Sequence, residues 1–192
     1  EDGHTSILMR LLNPRGTHGM NNSFLKLFLD MLEVEYQPED PAKWHIVVGE
    51  KSGERGFIDL IIRNSDNSVV IVIENKIRGA KNQPSQLYRY WRNHIYELLE
   101  PADKNNPIEY SERARSRYLL CYLTLNKMSE KSHQKLKMSL TKPDANNGKY
   151  DNLPNELSYP VSYLTYKDSD KSIVRWLKSC VPLLDEKKDN VL

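Results

Sequence analysis

The 192-residue sequence has few cysteines and few glycines, two and eight respectively. These low numbers exclude a disulfide-dense framework and a collagen-like repeat. No apolar run approaches the ~18 residues that suggest a membrane-spanning helix. No charged-then-apolar leader opens the chain either, so secretion has no support. Because the chain begins at Glu1 rather than at a methionine, we expect a fragment of a longer protein.

Both cysteines lie in apolar surroundings. Cys121 falls within a strand-like segment, and Cys180 falls near the end of a helix-like one. No Cys-x-x-Cys pair indicates a zinc site. We therefore interpret both as small buried hydrophobic residues in a reducing, cytoplasmic compartment.

The chain is close to neutral, with a net charge of +2, and 39% of its residues are hydrophobic. These values are typical of one soluble globular domain, which we assign to residues 1–192. Residues 111–150 nevertheless carry nine Lys and Arg against three acidic residues. Such a segment could follow a nucleic-acid backbone, although a solvated surface is the alternative. The candidate nucleic-acid contacts are Arg113, Arg115, Lys127 and Lys131.

Hydrophobic periodicity predicts helices and strands in a mixed order. The predicted helices are residues 4–12, a segment capped by Asn22 or Ser23, a long helix with Pro84 in its first turn that reaches about residue 99, and a closing segment marked by Ile173 and Trp176. The predicted strands are residues 44–48, 57–63, 69–76, 117–125 and 161–166. Residues 126–157 are polar and predict a loop region with its tip near Asn146 and Asn147.

The strand over residues 69–76 is apolar on both faces, which predicts a central strand covered on both sides. It ends in Glu74, Asn75 and Lys76. The side-chain period of two places Glu74 and Lys76 on one face and Asn75 on the other. Because burying either charge alone is costly, an acid and a base at the end of a buried strand require an explanation.

The register of the preceding hairpin decides whether Asp59 joins them. If Asn64 pairs with Val69, Asp59 lies opposite Glu74 and shares its face. If Arg63 pairs with Val69 instead, Asp59 points away unless a bulge corrects it.

Two carboxylates on one face repel each other, and one of them is driven toward protonation. A divalent cation removes this conflict, and open oxygen-rich sites suit Mg²⁺, which also binds substrate phosphates. Such an ion activates water and screens charge on a phosphodiester, while Lys76 could orient the water. Asp59, Glu74 and Lys76 therefore predict metal-assisted phosphodiester hydrolysis. The alternative is an ordinary Glu74–Lys76 ion pair with Asp59 in a turn.

Asp59, followed 15 residues later by Glu74-Asn75-Lys76, resembles the motif of the PD-(D/E)XK nuclease superfamily. The likeness is greatest to bacterial and phage-type members with an Ile-Glu-Asn-Lys strand and a following Gln-x-x-x-Tyr helix, which here are residues 73–76 and the pair Gln86 and Tyr90. It covers residues 4–90, about half of the chain. One difference is that Ile58, not proline, precedes Asp59.

The resemblance implies an α/β fold with a restriction-endonuclease-like core, in which a mixed sheet of αβββαβ order is flanked by helices. It implies that Asp59 and Glu74 bind the metal together with the backbone carbonyl of Asn75. Lys76 would be the catalytic lysine. Mg²⁺ is the expected cofactor, and Mn²⁺ is expected to substitute for it.

Two further residues receive roles from the same resemblance. Glu50, at the end of the first strand, would be the additional metal-binding acid that many members carry, and an exposed turn residue is the alternative. Gln86 would be a catalytic-site residue that reaches toward the metal or the substrate backbone. A simple packing pair with Tyr90 is the alternative for Gln86.

The function we expect is a Mg²⁺-dependent nuclease that acts on nucleic acid, with DNA as the expected substrate and no membrane partner. A homodimer is left open. One alternative is a catalytically silent member that binds nucleic acid or a protein partner. The other is an unrelated α/β domain in which the acid-x-Lys triplet is a coincidence.

Overall fold

One mixed sheet organises the protein in a computed structural model, which describes residues 2–36, 38–52, 56–76, 83–106, 110–127, 129–144, 148–167 and 169–189. Its strands are β1 (Trp44–Lys51), β2 (Phe57–Asn64), β3 (Val70–Lys76), β4 (Tyr118–Thr124) and β5 (Val161–Thr165). Strands β1, β2 and β3 are antiparallel, whereas β4 and β5 continue the sheet parallel to β3. The spatial order follows the chain order, so β3 is the central strand, as its apolar pattern predicts.

The described residues form seven α-helices: α1 (Asp2–Leu12), α2 (Ser23–Met31), α3 (Gln86–His94), α4 (Pro101–Asn105), α5 (Glu112–Arg117), α6 (Glu130–Leu140) and α7 (Ile173–Asp189). Two short 3₁₀ turns occupy Pro41–Lys43 and Tyr96–Leu98. Within the described ranges, no helix combines the length and the apolar character that a membrane crossing requires.

Helices cover both faces of the sheet, and each face has its own apolar core. On one face Ile71 of β3 belongs to the core that contains Phe28 of α2 and Trp176 of α7, whose rings meet edge to face at 5.3 Å. On the other face Val72 belongs to the core that contains Trp91 of α3. Full burial of such a side chain contributes about 1.5–3 kcal/mol. The alternating apolar residues of β3 therefore hold both helical layers.

The β2–β3 hairpin has the register that places the two acids on neighbouring strands. Leu60 pairs with Ile73 and Arg63 pairs with Val70, which confirms the pairing of Asn64 with Val69. The Asn64 side chain fixes the loop, because its Oδ1 accepts the N–H of Val69 at 3.0 Å.

The long predicted helix beginning at Pro84 is wrong at both ends. The helix starts at Gln86, because Ser85 adopts a left-handed conformation with φ of 57°, and it ends at His94. Ser85 does not cap it with its side chain. Instead α6 supplies partners for the first amide groups, since the N–H of Ser85 donates to the carbonyl of Met138 and that of Leu87 to Ser139 Oγ.

The prediction that residues 126–157 form loops is also wrong in part, because they contain α6. Leu136 of this helix is 1% exposed and packs in the α3-side core. The predicted loop tip at Asn146 and Asn147 lies outside the described residues. Asn22 precedes α2 as expected, but its side chain donates to the carbonyl of Pro38 and does not cap the helix.

Both cysteines are free and buried, which confirms their interpretation as packing residues. Burial raises the pKa of the Cys121 thiol to about 12 and that of the Cys180 thiol to about 11. Neither thiol is therefore an active nucleophile at neutral pH.

Candidate active site

Asp59 and Glu74 meet where β2 and β3 begin to separate. The ladder pairs end at Leu60 and Ile73, and beyond them Asp59 Oδ2 accepts the backbone N–H of Asn75 at 2.7 Å. The Asp59 carboxylate thus takes the place of a backbone carbonyl as the hydrogen-bond acceptor and connects the end of β3 to β2. This contact keeps its carboxylate next to the strand that carries Glu74.

The backbone of β2 is irregular at Asp59. Ile58 and Leu60 are two residues apart, yet they pack in the cores on opposite faces of the sheet. The side-chain alternation therefore shifts by one residue at Asp59. Gly49 lies in the matching break on β1, between the Val48–Leu60 pair and the next one, and adopts a φ of 69° that favours glycine. Such irregularities redirect a side chain at a sheet edge.

Glu74 and Lys76 form a buried ion pair on one face of β3. Lys76 Nζ lies 2.5 Å from Glu74 Oε1, and the two side chains are 9% and 2% exposed. The other carboxylate oxygen, Oε2, is buried and accepts no hydrogen bond from the part of the chain that the structure describes. Burial and the charge of Asp59 raise the Glu74 pKa to about 7, and the Lys76 ammonium limits the rise. One carboxylate oxygen is thus held by Lys76, and the Tyr90 hydroxyl of α3 also acts on the carboxylate and lowers the Glu74 pKa.

Tyr90 of α3 closes the site from the helical side. Its hydroxyl donates to the carbonyl of Phe57 at 2.7 Å and accepts from Gln86 Nε2 at 2.9 Å. Burial and the charge of Glu74 raise the Tyr90 pKa well above its ordinary value, so the hydroxyl stays neutral. Gln86 is 5% exposed, and its buried Oε1 has no hydrogen-bond partner within the described ranges. The pair both packs α3 against β2 and lines the acid site.

Asn75 faces the opposite side of the sheet, as the strand period predicts. Its Nδ2 donates to Thr5 Oγ1 of α1 at 3.0 Å, and both residues are buried. The side chain of Asn75 therefore points away from the acids. Its role as a metal ligand through the backbone carbonyl stays a prediction. No local sequence signal connects Thr5 with Asn75, because 70 residues separate them.

Glu50, the predicted additional acid, has cationic and histidine neighbours. Arg63 Nη1 lies 3.1 Å and His94 Nδ1 lies 3.8 Å from its Oε1. Burial lowers the His94 pKa, which favours a neutral imidazole. Among the described residues, no three or more His, Cys, Asp and Glu side chains are grouped as a metal site would require. Among the described residues Asp59 and Glu74 are thus a pair of acids, and the role of Glu50 as a further metal ligand stays a prediction.

The predicted nucleic-acid contacts divide between the two ends of the sheet. Strand β4 lies parallel to β3 with Tyr118 beside Val70 and Thr124 beside Lys76. Arg113 and Arg115 lie on α5, which precedes β4, so they belong to the end away from Lys76.

Lys127 follows the end of β4 and is exposed on the same edge as Lys76. Lys131 belongs to α6, but its side chain lies outside the described residues. The structure therefore does not join all four predicted residues into one surface beside the acids.

A model of the PD-(D/E)XK nuclease superfamily matches residues 1–190. The chain belongs to this superfamily. The match extends the sequence resemblance, which ended at Tyr90, over nearly the whole chain. The five-stranded mixed sheet with helices on both faces is accordingly the restriction-endonuclease-like α/β fold. Searches of curated proteins and of solved structures returned no match to this PD-(D/E)XK chain.

Proposed function

We propose that the protein is a metal-dependent nuclease that hydrolyses phosphodiester bonds of nucleic acid, with DNA as its substrate and the cytoplasm as its location. One observation carries this proposal. Glu74 is almost completely buried, has one carboxylate oxygen that accepts no hydrogen bond from the described residues, and has a second acid and a lysine beside it. A buried, partly protonated carboxylate in such surroundings is typical of a functional site rather than of a stabilising ion pair.

The residues present fit a hard divalent cation. Asp59 and Glu74 supply carboxylate oxygens, and Gln86 has a buried amide oxygen that no described residue hydrogen-bonds. Mg²⁺ and Mn²⁺ prefer such oxygen ligands. Burial and the like charge of Asp59 together raise the Glu74 pKa to about 7, and a cation at these oxygens would relieve both penalties. A bound ion would supply a water of lowered pKa and would offset charge on the phosphate.

Lys76 contributes to the reaction through the charge and the hydrogen bonds of its own side chain, apart from any bound metal. Its ammonium has three donors, and Glu74 Oε1 accepts one of them. The others can hold the attacking water or a phosphate oxygen. Because the side chain is only 9% exposed, its charge acts in a medium that screens it weakly. The ion pair with Glu74 fixes the position of Nζ before the substrate arrives.

The test is a cleavage assay with plasmid DNA, single-stranded DNA and RNA, each with Mg²⁺, with Mn²⁺ and with a chelator. Wild-type protein should cut DNA only when a divalent ion is present. Lys76→Ala should lower the cleavage rate at least about 100-fold, the usual effect of removing a group that moves a proton or stabilises transition-state charge. Lys26→Ala, which removes an exposed lysine of α2, is the matched control and should cut normally.

One observation favours a second candidate function, a catalytically silent module that binds nucleic acid. Glu50 contacts Arg63 and His94. No third His, Cys, Asp or Glu side chain among the described residues joins Asp59 and Glu74 in a metal-binding group. Binding of DNA without cleavage under every metal condition supports that candidate. Cleavage by Lys76→Ala at the wild-type rate contradicts the proposed mechanism.

A further inference from the structure

The parallel half of the sheet brings three strand ends to one edge. Lys76 of β3 pairs with Thr124 of β4, and Thr124 pairs with Thr165 of β5. Neighbouring strands are about 4.8 Å apart, so Thr165 lies about 10 Å across the sheet from Lys76. A lysine ends or follows each strand at this edge: Lys76 itself, Lys127 and Lys167.

Beyond β5 this edge continues into an open cavity of about 400 Å³ between the end of the strand and the first turns of α7. The cavity is lined by Lys167, Ser169, Ser172, Val174, Arg175 and Lys178. The described residues of its lining thus supply three cationic side chains and two hydroxyl groups and include no acid. This composition suits an anion with several acceptor oxygens.

Two acids belong to the same stretch of chain and must be weighed against these cations. Asp170 pairs with Arg175 on the surface, where it is 96% exposed, and such exposed pairs contribute little. Asp168 lies outside the described residues. Residues 167–178 still contain four Lys and Arg against these two acids, so the segment is net positive.

The attraction of this cavity for an anion comes from its side chains and not from the first backbone N–H groups of α7. The N–H of Val174 donates to the carbonyl of Tyr166 at 3.0 Å, and that of Arg175 donates to Ser172 Oγ at 3.3 Å. A neighbouring cavity along α2 and α7 has Asp30, Glu33 and Asp170 in its lining, which makes it unsuitable for an anion. The cavity at the end of β5 therefore differs from this neighbouring cavity in the positive charge of its lining.

We propose that Lys167, Arg175 and Lys178 bind a backbone phosphate of the nucleic-acid strand whose cleaved phosphodiester lies at Lys76. Lys127 follows the end of β4, the strand between β3 and β5. This inference rests on the proposed nuclease function, because it takes the substrate of that site as its ligand. It places the substrate along the edge formed by the ends of β3, β4 and β5, and away from the arginines of α5.

The test compares two double variants that each remove two positive charges. Lys167→Gln/Lys178→Gln removes two of the three cations of the cavity, and Arg113→Gln/Arg115→Gln removes two cations of α5 at the opposite end of the sheet. Binding of a fluorescein-labelled 20-nucleotide single strand and of the matching duplex is followed by anisotropy in EDTA, at several salt concentrations. All four residues are exposed, so both variants should fold normally, which circular dichroism checks.

The cavity variant should lose about tenfold in affinity. Its slope of log K against log salt should become shallower by about 0.7–0.9 for each phosphate contact removed. The α5 variant should bind within about twofold of wild type. Equal affinity of the cavity variant and wild type, an equal loss in both variants, or no binding by wild type overturns the proposal.

A separate cleavage assay distinguishes this inference from the nuclease proposal. Wild-type cleavage combined with unchanged binding by the cavity variant overturns the phosphate cavity and leaves the nuclease standing. Selective loss of binding in the cavity variant without wild-type cleavage supports the cavity and overturns the nuclease.

Discussion

Lys76 Nζ lies 2.5 Å from Oε1 of Glu74, two residues earlier on the same strand, while the buried Oε2 of Glu74 has no hydrogen-bond partner among the residues that the structure describes. The lysine stabilises the ionised carboxylate, whereas burial and Asp59 oppose ionisation. The balance holds the Glu74 pKa at about 7. The site therefore gains or loses a proton near neutral pH, and cation binding should release that proton.

The first prediction concerns the stability of the metal-free protein. The Glu74 pKa rises from 4.5 to about 7 on folding, so its contribution to stability is fully present below pH 4.5 and is lost as the pH rises through 7. The full loss is on the order of 3 kcal/mol. We expect the difference in unfolding free energy between wild type and Glu74→Gln to fall as the pH rises, and urea unfolding in EDTA between pH 4.5 and 8 measures it. Saturating Mg²⁺ should reduce this fall.

Glu156→Gln is the control, because it removes an exposed acid far along the chain from the site. His94 has a lowered pKa, so its own contribution grows with rising pH and has the opposite sign. Subtracting the Glu74→Gln curve removes that contribution from the comparison. A wild-type curve parallel to that of Glu74→Gln contradicts the prediction.

The second prediction concerns Asp59→Asn. The amide oxygen can still accept the N–H of Asn75, so the end of β3 keeps its tie to β2. The loss of the negative charge should lower the Glu74 pKa and weaken Mn²⁺ binding by at least about tenfold, a conservative figure for a residue at a metal site. Calorimetric titration with Mn²⁺ measures the affinity.

Asp66→Asn is the matched control for Asp59→Asn. Asp66 also accepts a backbone N–H, that of Ser68, but it lies in the hairpin loop at the other end of β2. Its variant should bind Mn²⁺ as wild type does. An unchanged affinity in Asp59→Asn contradicts the assignment of Asp59 as a metal ligand.

The central features of the site could be predicted because they depend on local pattern. The apolar run of β3 fixes its central place, and the short hairpin loop limits the register to two choices. The alternation then places Glu74 and Lys76 on one face and Asn75 on the other. These steps need no information about distant segments.

The features that could not be predicted depend on contacts between distant segments. Ser85 leaves the helical conformation because α6 supplies the amide acceptors of α3 from 52 residues away. Thr5 reaches Asn75 across 70 residues. The division of the basic residues between two sheet ends depends on the parallel pairing of β4 with β3, which residue spacing does not reveal.

The third prediction separates the two buried tyrosines of α3. Tyr90→Phe removes a hydroxyl that serves the carbonyl of Phe57 and the amide of Gln86, and it should cost about 1–3 kcal/mol of unfolding free energy. Because the same hydroxyl lines the acid site, Mn²⁺ affinity should fall as well. Tyr88→Phe removes a hydroxyl that donates to the carbonyl of Pro154, away from the acids, and should reduce stability alone. Equal Mn²⁺ affinities in the two variants contradict a site role for Tyr90.

The fourth prediction concerns the support of the site from the opposite face of the sheet. Thr5→Val removes the acceptor of the Asn75 amide, leaving a buried donor unsatisfied at a cost of about 1–3 kcal/mol. Asn75 lies between Glu74 and Lys76 in the chain, so loosening it should displace both site residues and lower kcat for cleavage more than it changes KM. Thr5→Ser keeps the hydroxyl and should restore both stability and kcat, whereas a serine variant as slow as the valine variant would show that the hydrogen bond does not position the site.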